Sequence, residues 1–291
     1  MRREDRTNLT LSEKPISLDA YAPSEIAHRV ETVGVKKAQL DFWSMFALAV
    51  LAGAFISLGA AFATLVMTDT GLGYGVMRLL GGLVFSLGLI LVIIAGAELF
   101  TGNNLIVMAW ASRKVSAGAL LSNWVIVYIG NLIGALGTVL LIYLTRYWSF
   151  ANAKVGATAL NIAFTKTNLD FMQALALGIM CNALVCLAVW LCFSARTTTD
   201  KILSIIYPIT AFVAMGFEHS VANMYFIPMG VLLKQEPTVL SAANKAPEML
   251  ANLDWLGFIN NLIPVTIGNI IGGGVLVAAI YWFVYLRKAQ D

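Results

Sequence analysis

Charge is what this sequence has least of: across 291 residues only 12% are Asp, Glu, Lys or Arg, against 59% hydrophobic. A soluble domain carries about a quarter charged residues, so an ordinary water-soluble globule is excluded. The net charge of +3 is small and the basic residues are scattered, which leaves no footprint for a nucleic-acid partner. Cysteine is scarce as well. Cys181, Cys186 and Cys192 share one apolar run, so neither a disulfide scaffold nor a CxxC site is available. At those spacings the thiols point in different directions on a helix and read as small side chains facing lipid or core. Histidine occurs twice, as His28 in the polar leader and His219 in an apolar run, and Asn-Pro-Ala triplets are missing. The apolar runs thus hold no metal cluster, nucleophile–base pair or cofactor motif, which disfavours a membrane enzyme. The missing triplets disfavour a water or glycerol channel of aquaporin type. No cofactor or metal is expected.

Long apolar runs are what remains. Residues 42–67, 115–145, 171–195 and 255–286 carry no charge, while 79–112 and 202–233 carry one each, Glu98 and Glu218. A crossing helix needs about 20 apolar residues, which predicts an all-α integral membrane protein with six transmembrane helices over 42–288. The first 41 residues form a polar cytoplasmic segment with seven of the 19 Lys and Arg residues and no cleavable signal. Within that leader, Ile26, Val30, Val33 and Leu40 recur near helical spacing between Pro23 and Phe42. This predicts an amphipathic helix on the inner membrane surface, a simple interfacial anchor with gating as the alternative. Arg113, Lys114, Arg196, Lys201, Arg287 and Lys288 make three further polar ends basic, whereas the link at 68–77 has no Lys or Arg. By the positive-inside bias both termini face the cytoplasm.

The sequence also repeats itself. Gly96-Ala97-Glu98-Leu99-Phe100-Thr101-Gly102-Asn103 aligns with Gly216-Phe217-Glu218-His219-Ser220-Val221-Ala222-Asn223, both G-x-E-x4-N. Asn123, Gly130, Asn131 and Gly134 align likewise with Asn261, Gly268, Asn269 and Gly272. The two patterns fall in the second and third spans of each half, about 42–146 and 170–288. Three spans per half is an odd number, so the second half enters the membrane upside down, as an inverted 3+3 repeat. That architecture puts the functional site where the halves meet. It also predicts broken helices two and five, each with a glycine beside a buried acid. The GxxxG spacings at Gly130/Gly134 and Gly268/Gly272 read as close helix packing, and Pro264 predicts a local kink.

Apart from Cys and Tyr, three titratable groups lie deep in the spans: Glu98, Glu218 and His219. Such groups are expensive in hydrocarbon and usually functional. Each glutamate stands near the start of a second half-helix, where a carboxylate can accept orphan N–H groups, so Glu98 and Glu218, with Asn223, are assigned to stabilising the breaks. Thr101 and Ser220 cap or line the same region. His219 breaks the symmetry, because Leu99 occupies its counterpart position. It reads either as a satisfied core group bonded to Asn or Thr, or as a proton or hydrogen-bond donor to an anion. Two half-helix N-termini aimed at the midplane support the second reading. Phe85 and Phe212 flank the breaks with Leu89 nearby, either packing or forming a hydrophobic barrier to hydrated ions.

Ala95–Gly102, Gly216–Ser220 and Asn261–Asn269 together resemble the signatures of the formate/nitrite transporter family, and the resemblance runs from about residue 20 to the C-terminus. It implies an aquaporin-like protomer with a pore through each subunit of a homopentamer. It implies His219 as the central pore histidine with Thr101 as polar partner, and Asn182 as a pore asparagine with Val185 at a constriction. Phe85, Leu89 and Phe212 match the family's narrowings, and the segment from Phe85 to Gly96 its loop in span two. Lys166, in the outer loop before span four, resembles a lysine that draws anions inward. The substrate implied is a small monovalent anion, foremost formate, with nitrite, hydrosulfide, acetate and lactate as alternatives and proton coupling or coupled secondary transport as further readings.

Overall fold

The computed structural model describes residues 19–287; residues 1–18 of the leader, and Lys288 at the basic end, lie outside them. All regular elements among the described residues are helical. The first series comprises α1 (Pro23–Ala38), α2 (Phe42–Val66), α3 (Tyr74–Ala95), the short α4 (Phe100–Asn103) and α5 (Val107–Ala111), and α6 (Ala117–Leu144). A second series follows as α7 (Lys154–Thr167), α8 (Phe171–Ser194), α9 (Thr198–Ala214), α10 (Ser220–Leu233), the short α11 (Pro237–Ala243) and α12 (Trp255–Ile270). From α12 the chain continues through a π-helical stretch at Ile271–Ala279 into α13 (Ile280–Tyr285).

Five helical runs are long and apolar enough to cross a membrane: α2, α3, α6, α8 and the continuous run Trp255–Tyr285. Their outward faces carry large apolar side chains such as Trp43, Leu141 and Ile263, all exposed, as a lipid-facing exterior requires. The polar ends are capped in matched fashion. Asp41 accepts the Ser44 N–H at 3.0 Å ahead of α2, and Asp170 accepts the Gln173 N–H at 2.9 Å ahead of α8. The bonds from Ser44 hold the Asp41 carboxyl below its ordinary range.

Close packing between helices depends on glycine at two matched sites. A Cβ on Gly134 would stand 1.9 Å from the Val50 carbonyl oxygen of α2, and one on Gly272 2.1 Å from that of Ile179 in α8. The GxxxG residues therefore sit where two backbones touch, α6 on α2 and, on α8, the end of α12 with the start of the π-helical stretch.

Two expectations need correction here. The leader helix ends at Ala38, before Leu40, and its apolar residues Ile26, Ala27 and Val30 are buried in a cluster with Leu105, Ile106 and Met108. Its apolar stripe is thus covered by protein, helped by Gly34, where a Cβ would already be 3.3 Å from the Ala109 methyl. Nor is the segment from Phe85 a loop. It stays helical to Ala95, because apolar side chains offer no partners for freed backbone groups. The non-helical stretch is only Gly96–Leu99, matched by Met215–His219 between α9 and α10.

Candidate functional site

Both interruptions are built alike. Each turns on a glycine in left-handed conformation, Gly96 with φ 81° and Gly216 with φ 74°, a region that a Cβ disfavours. The chain turns back on itself there: Ala97 N–H donates to Val92 at 2.9 Å and Phe217 N–H to Phe212 at 3.0 Å. It then runs extended alongside a neighbouring helix, with Glu98 N–H on the Leu48 carbonyl and Glu218 N–H on that of Leu177, both at 3.2 Å.

An asparagine from a separate helix closes each clamp. Asn131 of α6 accepts the Phe100 N–H at 2.9 Å while its amide donates to the Ala49 and Glu98 carbonyls at 2.7 and 2.9 Å. Asn269 of α12 accepts the Ser220 N–H at 2.9 Å and donates to the Gly178 and Glu218 carbonyls at 2.8 and 3.0 Å. The orphan backbone groups at the interruptions therefore go to these asparagines. Glu98 and Glu218 do something else, which corrects their expected role as acceptors of backbone N–H groups. Glu98 bonds Lys37 at 2.6 Å and Asn103 at 2.7 Å; Glu218 bonds Lys166 at 2.7 Å and Asn223 at 2.6 Å. Asn123 and Asn261 complete the two networks, donating to the carbonyls of Lys37 and Lys166 at 3.1 and 2.9 Å and accepting from Asn103 and Asn223. Each buried carboxylate is thus both charge-paired and hydrogen-bonded, the condition on which a buried charge persists.

Between the clamps, Thr101 and His219 join the two halves side chain to side chain. The Thr101 hydroxyl in α4 lies 2.9 Å from His219 Nε2, and both side chains are buried. His219 Nδ1 accepts the Ala222 N–H at 3.0 Å, capping α10. A nitrogen that accepts a hydrogen bond carries no proton, so the ring proton resides on Nε2 and points at the Thr101 oxygen. The threonine hydroxyl hydrogen is then free to donate onward, polarised by the bond it receives. Of the first N–H groups of α10, those of Ser220 and Ala222 are already taken by Asn269 and His219, so a ligand meets mainly side-chain donors there.

Aromatic rings cover this junction. Phe85 and Phe212 meet edge to face with centroids 5.6 Å apart, and Phe212 stacks on the His219 ring at 5.9 Å. On one side lies a cavity of about 500 Å³ lined by Arg78, Phe85, Lys166, Phe212, Glu218 and His219 among others. On the other, a cavity of about 490 Å³ includes Arg29, Lys37, Leu89, Glu98, Cys192 and Lys201. Leu89, one turn beyond Phe85, faces this second space. Among the sequence-selected residues, His219, Thr101, Phe85, Phe212 and Leu89 converge on the junction.

Three others are placed differently. Lys166 belongs to α7, not to a loop, and is ion-paired with Glu218, so it is not a free vestibular charge. Asn182 is fully buried and lines neither cavity; its amide donates to the Thr101 and Asn269 carbonyls at 3.2 and 2.7 Å. Glycine at 273 makes room for it, since a Cβ there would sit 2.4 Å from that amide nitrogen. Val185, one turn along α8, is buried in the core and also lines neither cavity. Sequence reading missed Lys37, Asn131, Asn269 and Arg78 as site residues. For the asparagines a signal existed: both recur inside matched apolar runs, where an amide needs a partner.

A family model described as formate/nitrite transporter matches residues 24–283. The chain is 46% identical to the formate channel FocA of Escherichia coli over 93% of its own length and 96% of that protein's. It is 40% identical to the formate channel FocA of Haemophilus influenzae, covering 90% and 94%. Among solved structures it resembles a pentameric formate channel with formate bound, with TM-score 0.79 and 46% identity over 84% of this chain and 98% of that one. An ion channel of the same family aligns with TM-score 0.76 at 26% identity, covering 90% and 99%. The protein is a membrane protein, and the chain belongs to the formate/nitrite transporter family.

Proposed function

We propose that this chain is a formate channel, with a pore through each subunit of a homopentamer in a bacterial-type inner membrane. The reading places α3 with α4–α5, and α9 with α10, as two interrupted spans of an aquaporin-like inverted 3+3 repeat. Residues 42–288 form the channel domain, with both termini cytoplasmic. The Arg29–Lys37–Lys201 cavity is then the inner vestibule and the Arg78–Lys166 cavity the outer one. The observation that carries the proposal is the Thr101–His219 pair, held between the two clamps under the Phe85–Phe212 rings and between two open cavities.

The pair suits a small oxyanion. The rings exclude a hydrated ion, and past them the permeant meets one donor chain, from Nε2–H to the Thr101 hydroxyl and on to the anion. Placing the second imidazole proton on Nδ1 would break the Ala222 cap. Releasing the Nε2 proton from the neutral ring would leave an imidazolate. The geometry therefore favours His219 as a hydrogen-bond donor over His219 as the acid that protonates formate. Any proton crossing with formate is then taken from water in a vestibule.

Uptake of formate, nitrite and hydrosulfide into vesicles holding the purified protein, at two external pH values with current recorded, tests the reading. Formate uptake above that of protein-free vesicles is expected. Electroneutral uptake rising at low pH identifies passage as the acid, and a current equal to the full flux identifies the anion. Saturable exchange that depends on counter-substrate identifies a coupled transporter. Absence of formate flux with robust nitrite or hydrosulfide flux overturns the substrate, and absence of all three overturns the channel.

A further inference from the structure

The outer cavity contains a cation that is ion-paired with no carboxylate among the described residues. Among the described residues lining that space, the charged groups are Arg78, Lys166 and Glu218. Lys166 and Glu218 neutralise each other at 2.7 Å. Arg78, on the first turns of α3 and half-buried, bonds only carbonyl oxygens: its Nε donates to Ala214 at 3.1 Å and its Nη2 to Val213. These carbonyls end α9 just before Gly216, where a helix leaves its acceptors unsatisfied. Gly216 leaves room for the approach, since a Cβ there would lie 3.3 Å from Arg78 Nη2. The guanidinium is thereby tethered, charged and incompletely used, because it carries more N–H donors than these two bonds consume.

We propose that Arg78 is the anion-capture residue of the outer vestibule, binding an incoming carboxylate through its unused N–H groups before the anion reaches Phe85 and Phe212. The inference rests on the channel reading above and assigns the capture that Lys166, spent on Glu218, does not supply. A guanidinium fork matches the two oxygens of a carboxylate, and its field at the mouth of a narrow apolar cleft raises the local anion concentration. Arg78 also ties α3 to the end of α9, so the same side chain that meets the anion holds the second interruption.

The test uses the full-length protein in oriented vesicles, with formate added to the face bearing this cavity, at low and high ionic strength. For Arg78→Gln, the formate concentration giving half-maximal uptake is expected to rise roughly tenfold, the equivalent of about 1.4 kcal/mol. Its dependence on salt is expected to flatten, because a screened attraction has been removed. Half-saturation from the opposite face should stay within about twofold, well short of that tenfold step. Arg78→Lys retains the charge and should retain most of the salt response. Wild-type half-saturation and salt response in Arg78→Gln overturn the proposal. So does an equal fall in maximal flux in both variants with unchanged half-saturation, which would make Arg78 a backbone cap alone. If Arg78→Gln fails to fold, a loss of salt response in a folded Arg78→Lys overturns it equally. Wild-type protein that moves no formate fails the channel reading and is told apart by that control.

Discussion

Replacing His219 separates two roles that one ring performs. Its Nδ1 accepts the Ala222 N–H at 3.0 Å, and its Nε2 meets Thr101 at 2.9 Å. Asparagine is among the best N-caps, so His219→Asn keeps an acceptor for α10 while the shorter side chain withdraws the donor from Thr101. His219→Phe removes both. Losing the cap costs about 0.5–2 kcal/mol, visible as a fall in melting temperature of the oligomer in detergent for His219→Phe but not for His219→Asn. Losing a hydrogen bond that strengthens on a charged permeant is worth about 1.5–3 kcal/mol, so formate flux should change by about 10- to 150-fold in both variants. The assay pairs melting in detergent with formate flux in vesicles across external pH. Solid-state nitrogen spectra of histidine-labelled protein add a direct readout, with Nδ1 expected in the unprotonated form and Nε2 protonated. Wild-type flux at every pH in His219→Phe, or a proton found on Nδ1, would falsify the account of the site.

Asn131→Leu and Asn269→Leu each delete three buried bonds to backbone and should cost about 2–6 kcal/mol apiece; unchanged melting in detergent would show that the clamps do not hold the interruptions. Glu218→Gln strands the Lys166 ammonium, whose side chain is only 12% exposed, and should destabilise by about 3–5 kcal/mol. Adding Lys166→Met should recover part of that loss, and a double variant no more stable than the single one refutes the pairing. Phe85→Ala opens the edge-to-face contact with Phe212 and should raise chloride leak while formate still passes; a chloride flux equal to that of the wild type would remove the rings from the selectivity barrier.

Much of the scaffold is legible in the sequence because membrane physics writes it in large symbols. Glu98 and Glu218 are conspicuous inside long charge-free runs, and Gly96 and Gly216 stand beside them where the backbone turns left-handed. Their partners are not legible. Lys37 and Lys166 reach the glutamates across 61 and 52 residues, from helices that precede the aligned patterns. α7 reads as loop because its run is short, although Val155, Ala159, Leu160 and Ala163 recur at helical spacing and are buried. Asn131 and Asn269 sit inside GxxxG patterns whose glycines do pack, and the packing reading hides the amide between them. α1 with Lys37 and α7 with Lys166 occupy matching places in the two networks, so the correspondence between the networks also takes in residues before 42 and before 170.

The departure from that correspondence is as informative as the match. At the two equivalent N-cap positions stand Leu99 and His219, with nearly the same backbone angles, φ −106° and −109°. Leucine offers no acceptor, and the helix after it, α4, ends within four residues before the chain tightens into a 3₁₀ turn at Asn104–Ile106. Histidine caps the Ala222 N–H, and α10 continues for 14 residues. Two imidazoles facing each other across the junction would each need an acceptor for Nε2–H and would crowd the space that Thr101 fills. One imidazole and one hydroxyl instead make a directional chain, with the ring as donor and the hydroxyl hydrogen left free to donate onward. The asymmetry at residues 99 and 219 thus gives two similarly built clamps one directional junction, and it is this hydroxyl hydrogen that the proposed channel would offer to its anion.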